Sequence, residues 1–555
     1  MTLPREVDAV VIGAGPNGLV AANRLAEAGW DTLLLEAQPD VGGAVRSDRE
    51  LHPDFVSDTF SAFYPMAAAS RVINRLHLED FGLRWRHAPA VIGHSLPNGR
   101  WVILHRDLDV TAKLLDEEHP GDGDAWRALH DQWRRIGPSL VDALVTPFPP
   151  LGPAVRTMIK LPAVGGLSFV REMLAPASTA FEQQFGGQAV RLLLAGNALH
   201  ADVALDGSGS GFLGLLLIML GQTVGFPVPE GGAGKLTEAM RDRFLRYGGA
   251  VVCNAEATKI TVEHGRAVGV QVLDQLVRAR RAVLADAAAE HLYGRLVTFD
   301  ELPPKVRAMM TGFRRDPGTV KVDYALSGPV PWSAPPPYAP GTVHVSDSYE
   351  ELVISCAQLS AGNIPERPFL LIGQMTTADP TRSPEGTESF WAYTHVPQRV
   401  LGDAGGNLTG SWDTDEAERF ADRIQDRIEQ RAPGFSERIL ARRILTPLDL
   451  ERRNASLVGG SINGGTAALD QQLIFRPIPG LGRATTPIRG LYLASSSAHP
   501  GGAVHGACGM NAARAALAHA RLTPRRRAVP KPTSTELSGG LHRLQPMRAY
   551  ASYVH

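Results

Sequence analysis

Gly13-Ala14-Gly15-Pro16-Asn17-Gly18 carries three glycines at the spacing with which a backbone closes around a pyrophosphate. The first permits a tight turn, the second lets the chain approach the phosphates, and the third lets a helix pack closely on a strand. Val7 to Ile12 ahead of them reads as a buried strand, and Leu19 to Ala28 behind them has helical spacing that ends at Gly29. A helix beginning there aims free N–H groups and the positive end of its dipole at an anion. Thr32 to Leu35 is a second strand, ending at Glu36, where a carboxylate accepts both hydroxyls of a ribose and repels a 2′-phosphate. Gly13, Gly15, Pro16, Asn17, Gly18 and Glu36 are therefore expected to hold a dinucleotide.

Two more glycine-rich stretches follow the same logic. In Val41-Gly42-Gly43-Ala44-Val45-Arg46, the paired glycines Gly42 and Gly43 allow close backbone approach. Arg46 offers a guanidinium to the pyrophosphate, a surface position being the competing reading. Residues 490–517, GLYLASSSAHPGGAVHGACGMNAARAAL, repeat the order of strand, glycine-rich turn and helix. Gly501, Gly502, Gly506 and Gly509 give that turn its freedom to approach a ligand. His499 and His505 lie within it and are the candidate catalytic acid–base groups, because imidazole titrates near neutral pH. The competing reading is that each only hydrogen-bonds the backbone of the loop.

These three motifs, in this order, together with PEGGAGKL at 229–236, resemble the glutathione-reductase-type flavoproteins of the amine oxidase and phytoene desaturase superfamily. His499-Pro500-Gly501-Gly502 resembles the desaturase branch, whereas amine oxidases usually carry an acidic residue where Ser495-Ser496-Ser497 stand here. SDTFSAFYP at 57–65, SFWAYTHVP at 389–397 and NGGTAALDQQLIFRP at 463–477 are most similar to the phytoene dehydrogenase (carotenoid desaturase)-related group that includes pyridine nucleotide-disulfide oxidoreductase domain-containing protein 2. The resemblance spans residues 5–520. It implies an α/β fold in which a Rossmann FAD-binding domain is interleaved with a mixed α+β substrate domain. It also implies a dehydrogenase- or desaturase-like FAD enzyme that oxidises an apolar, isoprenoid-like small molecule by hydride transfer to flavin N5. Arg46 would then face the pyrophosphate or the flavin, and the 490–517 segment would aim its amides at the isoalloxazine. The reduced flavin would be reoxidised by oxygen, a quinone or a protein acceptor. A carotenoid ketolase, an amine-type oxidase and a flavin-stabilised regulatory or binding protein stay open as alternatives.

At 555 residues the chain exceeds the size at which one core stops growing, so two lobes are expected. The FAD-binding domain is assigned to 1–85, 225–300 and 456–521, and the substrate domain to 86–224 and 301–455. Residues 522–555 read as a flexible basic tail. Residues 300–455 look irregular, with 329–341 as a proline-rich loop. Trp391, Tyr393 and His395 alternate along one strand and share a face, which suits either a substrate cavity or plain core, and Phe60, Phe63 and Tyr64 carry the same ambiguity. Gly211 to Gly221 is about half the ~20 residues of a spanning helix, so it reads as a buried helix, with a tunnel wall or monotopic membrane contact as the sharper alternative.

Lys and Arg number 56 against 57 Asp and Glu, which gives no electrostatic footprint for nucleic acid. Cys253, Cys356 and Cys508 are too dispersed for a disulfide framework, a CxxC pair or a metal knuckle, so disulfide reduction is not expected and no metal site is assigned. Nothing in the spacing demands covalent flavin attachment through Cys508 or a nearby histidine. No second dinucleotide fingerprint follows a strand, so a separate NAD(P)H domain is not expected. The amino terminus runs straight into a strand without a signal core. A cytoplasmic location is expected, with peripheral membrane contact as a second expectation.

Overall fold

The computed structural model describes residues 3–522; the tail assigned to 522–555 lies, beyond Leu522, outside the described residues. The chain opens with β1 (Glu6–Ile12), α1 (Pro16–Glu27) and β2 (Thr32–Leu35). It then lays down β3 (Ala90–Ser95), β4 (Trp101–Leu104) and a run of helices ending in α2 (Gln188–Leu199) and α3 (Ser210–Thr223). It returns through α4 (Gly234–Arg246) to β5 (Ala250–Val252), β6 (Ala257–Glu263), β7 (Arg266–Val272) and β8 (Gln275–Ala285). A second excursion adds β9 (Gly318–Leu326), β10 (Pro340–Val345), β11 (Leu370–Gln374), β12 (Glu388–Val396) and β13 (Ile439–Leu445). The chain ends with β14 (Leu491–Leu493) and α5 (Ala507–Leu522).

One seven-stranded sheet runs β6-β7-β8-β1-β2-β5, with β14 beside the last residues of β8. Its centre is parallel: Val10 pairs with Leu33 and Ile12 with Leu35, while Ile12 also pairs with Ala285 of β8. Strands covered on both faces are apolar throughout rather than alternating, which is why Val10, Val11, Leu33 and Leu34 are all fully buried. α1 packs over this sheet without a capping side chain at its N-terminus, where Gly15 is the N-cap and Pro16 takes the first helical position.

The second sheet runs β13-β9-β12-β11-β10-β3-β4 and is antiparallel except between β10 and β3. Five of its seven strands come from residues 300–455, the segment whose prolines make it read as irregular. Those prolines sit between strands, and Pro340-Gly341, assigned to the loop, begins β10. Gly318–Leu326 and Pro340–Val345 are buried along their whole length and Glu388–Val396 nearly so, so they lack the polar alternation that marks a half-exposed strand. α3, the apolar helix at 210–223, is buried, and four of its residues face a cavity. It serves as core helix and cavity wall at once, and no helix among the described residues is long and apolar enough to cross a membrane.

Candidate active site

A cavity of about 630 Å³ begins at the carboxyl ends of β1 and β2 and extends beneath the second sheet. At its first end Gly13, Gly15, Pro16, Asn17 and Gly43 form the wall. Backbone meets backbone there: a Cβ on Gly43 would stand 2.9 Å from Gly15 Cα, and one on Gly15 would stand 2.8 Å from Asp286 Oδ2. Gly18 does not line the cavity; a Cβ on it would overlap the Gly13 carbonyl oxygen, so its smallness sets how closely α1 lies on β1. Gly42 also stands behind the wall, its N–H donating to the Ala14 carbonyl at 2.8 Å.

Glu36 lines the cavity with its carboxylate accepting from Ala14 N–H at 2.7 Å and Gln38 N–H at 2.9 Å. A carboxylate has about four acceptor sites, so lone pairs remain for ribose hydroxyls. Asp286, just after β8, accepts from Gly18 N–H at 2.8 Å. Desolvation pushes its carboxyl up to about 7, the Gly18 bond opposes the shift, and the charge of Glu36 reinforces it. The sequence carries a signal for Asp286: an acid at the carboxyl end of an apolar strand stands where open α/β sheets bind ligands. Arg46 also lines this end, its Nη2 donating to the Arg453 carbonyl at 3.0 Å and its guanidinium over the Phe60 ring at 5.5 Å. Burial lowers its pKa.

The turn between β14 and α5 closes the middle of the cavity, where His499, Gly502 and His505 line it. Gly501, at φ +109°, and Gly506, at φ +69°, pack behind it against Arg476 and Val20. Both imidazoles are tied to backbone. His499 Nε2 bonds the Thr146 carbonyl at 3.0 Å, and His505 Nδ1 accepts from Ala507 N–H at 3.0 Å. Burial lowers both, His505 to about 4, so both are neutral and fixed in orientation. Behind the turn, buried Arg476 donates to the carbonyls of Ser496, Thr466 and Asn463 and staples the 463–466 loop to it. Cys508 is fully buried, its thiol pushed up to about 12 by desolvation, and it is not part of the cavity wall.

Beyond the turn the wall is aromatic and aliphatic. Phe60, Phe63 and Tyr64 contribute from the chain after β2, Leu213 and Leu216 from α3, and Trp391 and Tyr393 from β12. Trp391 and Tyr393 stack at 5.8 Å between ring centres. His395 is set back, 2.7 Å from a carboxylate oxygen of buried Asp202. Its ring N–H is not directed along that line, so the contact is an ionic pair rather than an aligned hydrogen bond. Lys321 of β9 also reaches the cavity, paired with Asp323 and donating to the Asp58 carbonyl at 2.9 Å. Charged residues two apart inside an otherwise apolar strand were the available sign of that pair. His200, at the end of α2, reaches the wall with no comparable sequence signal.

A family model described as an NAD(P)-binding Rossmann-like domain matches residues 11–76. Pyridine nucleotide-disulfide oxidoreductase domain-containing protein 2 of Mus musculus is 29% identical over 552 residues, covering 92% of this chain and 93% of that protein. A lycopene-forming phytoene desaturase of a Paracoccus species is 24% identical over 523 residues, covering 91% and 96%. Among solved structures, putrescine oxidase bound to putrescine superposes with a TM-score of 0.56 at 15% identity, over 93% of this chain and 99% of that one, a likeness of fold. With an intact dinucleotide fold and homology along nine-tenths of its length, the chain is an oxidoreductase whose homologues include pyridine nucleotide-disulfide oxidoreductase domain-containing protein 2 and the phytoene desaturases.

Proposed function

We propose that the chain binds FAD along the glycine-walled end of the cavity and oxidises an apolar, isoprenoid-like molecule held at the aromatic end. The observation that carries this reading is the continuity of the cavity: the glycine turn, Glu36 and Arg46 share one space with Leu213, Leu216, Trp391 and Tyr393. The residues fit the group. Arg46 Nε and Asn17 Oδ1 are buried at the wall without a hydrogen-bond partner, and the close approach of Gly15 and Gly43 leaves no side chain in the way. Bound FAD supplies a two-electron acceptor. The protein's part is to hold an apolar chain against aliphatic and aromatic walls, to exclude water, and to fix two neutral imidazoles beside the turn.

The rim of the cavity supports delivery of such a molecule from a bilayer surface. Leu469 and Leu473 line the cavity and are about two-fifths exposed. Leu469 packs against Gly209, whose N–H bonds the carbonyl of exposed Leu174. Farther along the surface Arg483 bonds the Phe148 carbonyl, just before the helix Leu151–Lys160, which buries none of its residues and carries Arg156 and Lys160 beside exposed Met158 and Ile159. An apolar surface edged with cations suits an anionic lipid interface.

Anaerobic visible spectra of the purified holoprotein, taken after addition of a polyene, an amine and NAD(P)H in turn, test the reading. Bleaching by the polyene alone is expected. Bleaching by the amine, or a colourless protein that takes up no FAD, overturns it. Flotation with phosphatidylglycerol-containing vesicles, lost on Met158→Asp with Ile159→Asp, is the expected result for the rim.

A further inference from the structure

The aromatic end of the cavity is not uniformly apolar. Four polar side chains reach its wall with hydrogen-bonding capacity that no described residue meets. Thr319 Oγ1 and Thr342 Oγ1 are buried without a partner. The Tyr393 hydroxyl makes no hydrogen bond with any described residue, and His200 uses only Nε2, which pairs with His344 Nε2 at 2.8 Å. A polar group left dry and unpaired is destabilising. A row of them along one wall therefore points to a ligand that pairs with them.

The register of the second sheet relates two of them, Tyr393 and Thr342, to His344, on which a third, His200, rests. His344 of β10 pairs with Leu371 of β11, and Leu371 pairs with Tyr393 of β12. Directly opposed residues share a face, so His344 and Tyr393 flank Leu371 at about 10 Å, two strand spacings. Thr342 precedes His344 by two residues and so stands on the same face, paired with Gly373. His200 reaches in from the end of α2 and rests on His344, while Gly196 leaves room for the His344 ring.

We propose that His200, Tyr393 and Thr342 form a head site for one uncharged oxygen function, a hydroxyl or a carbonyl, carried by the otherwise apolar molecule. This rests on the reading that the cavity takes an apolar molecule, and it narrows that molecule's class. The groups suit a neutral oxygen for a specific reason. Burial, reinforced by the nearby charge of His395, brings the His200 imidazole down to about 3, and burial raises the Tyr393 phenol, so both are neutral at physiological pH. A neutral imidazole presents a donor or an acceptor according to tautomer, and its partner His344 can take the complementary one. A phenol and a threonine hydroxyl also serve in either role. The site can thus pair an alcohol or the corresponding carbonyl.

A charged head has no counterpart there. Asp202 does not line the cavity; it faces His395 and accepts from Asn463 Nδ2 at 2.6 Å. Lys321 is neutralised by Asp323. The buried histidines are not a metal site either, since no group of three or more His, Cys, Asp or Glu among the described residues is arranged to hold an ion.

The test measures binding of 1-decanol, 2-decanone, decane and decylammonium to the full-length holoprotein through quenching of tryptophan fluorescence, which Trp391 in the wall should report. The alcohol and the ketone are expected to bind about tenfold more tightly than decane, the equivalent of one hydrogen bond of about 1.4 kcal/mol. Tyr393→Phe and His200→Phe should each reduce the ratio of decanol to decane affinity to about threefold or less, roughly half of that advantage in free energy. Tyr393→Phe, which removes one oxygen, keeps the test valid where the histidine variant does not fold. Equal affinity of decanol and decane overturns the head site while leaving the apolar reading intact. Tightest binding of decylammonium overturns the neutral-head assignment, and failure of all four ligands to bind overturns both readings.

Discussion

At one end of the cavity the wall is made of backbone; at the other it is made of side chains. Gly13, Gly15 and Gly43 bring main chain against main chain beside Glu36, and one sheet with one helix suffices to position them. The far end needs α2, α3, β9, β10 and β12 together, contributed by two well-separated stretches of the chain. The first kind of wall tolerates almost no change of residue, because a single Cβ has nowhere to go. The second tolerates changes of shape and answers mainly to the chemistry of the groups it presents. Substitutions should therefore act differently at the two ends, and most severely where the two are joined.

A buried triad ties the chain after β2 to the chain between β11 and β12. Arg382 bonds Asp58 at 2.8 Å and Asp379 at 2.9 Å, all three side chains being fully buried, and its Nη2 reaches the Pro229 carbonyl at 3.1 Å. Arg382→Met leaves two buried carboxylates without their cation, a loss of about 3–5 kcal/mol. Chemical denaturation should show it as the largest single effect in the molecule; a loss below about 1 kcal/mol, the range of an exposed pair, would mean that the two regions are held together by packing alone.

Next in size is Gly18→Ala. The added methyl overlaps the Gly13 carbonyl oxygen and pushes α1 off β1, at a cost of roughly 1–3 kcal/mol from overpacking. The variant should melt earlier and also release flavin, because the helix N-terminus moves with it. Unchanged flavin content in a destabilised protein would separate the packing role of this glycine from binding. Glu36→Gln should leave the fold nearly intact and weaken FAD about tenfold by equilibrium dialysis, since it exchanges charge-assisted hydrogen bonds for neutral ones. At the other end, Trp391→Leu removes a ring stacked on Tyr393 and should weaken an apolar ligand several-fold, in line with about 0.5–1.5 kcal/mol for an aromatic pair, with flavin content unchanged.

The same contrast explains what could be read in advance. A glycine turn flanked by an apolar strand and a helix is a local pattern, and β1, α1 and β2 fall where the spacing puts them. The second sheet is a pattern only in three dimensions. Most of its strands are buried on both faces and separated by proline-rich loops, so apart from the strand at 388–396 little alternation marks them. Trp391 and Tyr393 were legible as sharing a face, but whether that face was core or cavity depended on α3 lying opposite. His200 was not legible at all: a histidine closing an apolar helix looks the same whether it meets solvent, a ligand or His344.

The last predicted effect is one of slope against pH, and it returns to the backbone-walled end. Asp286 holds its proton to about pH 7 in the folded chain, against an ordinary value of 3.8. A group with a raised folded pKa stabilises fully below its unfolded pKa, and that contribution is lost as pH rises through the folded one. The free protein should therefore lose stability across about pH 4 to 7 by this term. Asp286→Asn should flatten that part of the profile, since the amide oxygen can still accept from Gly18 N–H. The same proton keeps a second negative charge away from Glu36 and from the phosphates of a dinucleotide. FAD affinity should thus fall from pH 6 to 8 in the native protein and stay level in the variant. A parallel fall in both would assign the pH dependence to another group and leave Asp286 as a structural partner of α1 alone.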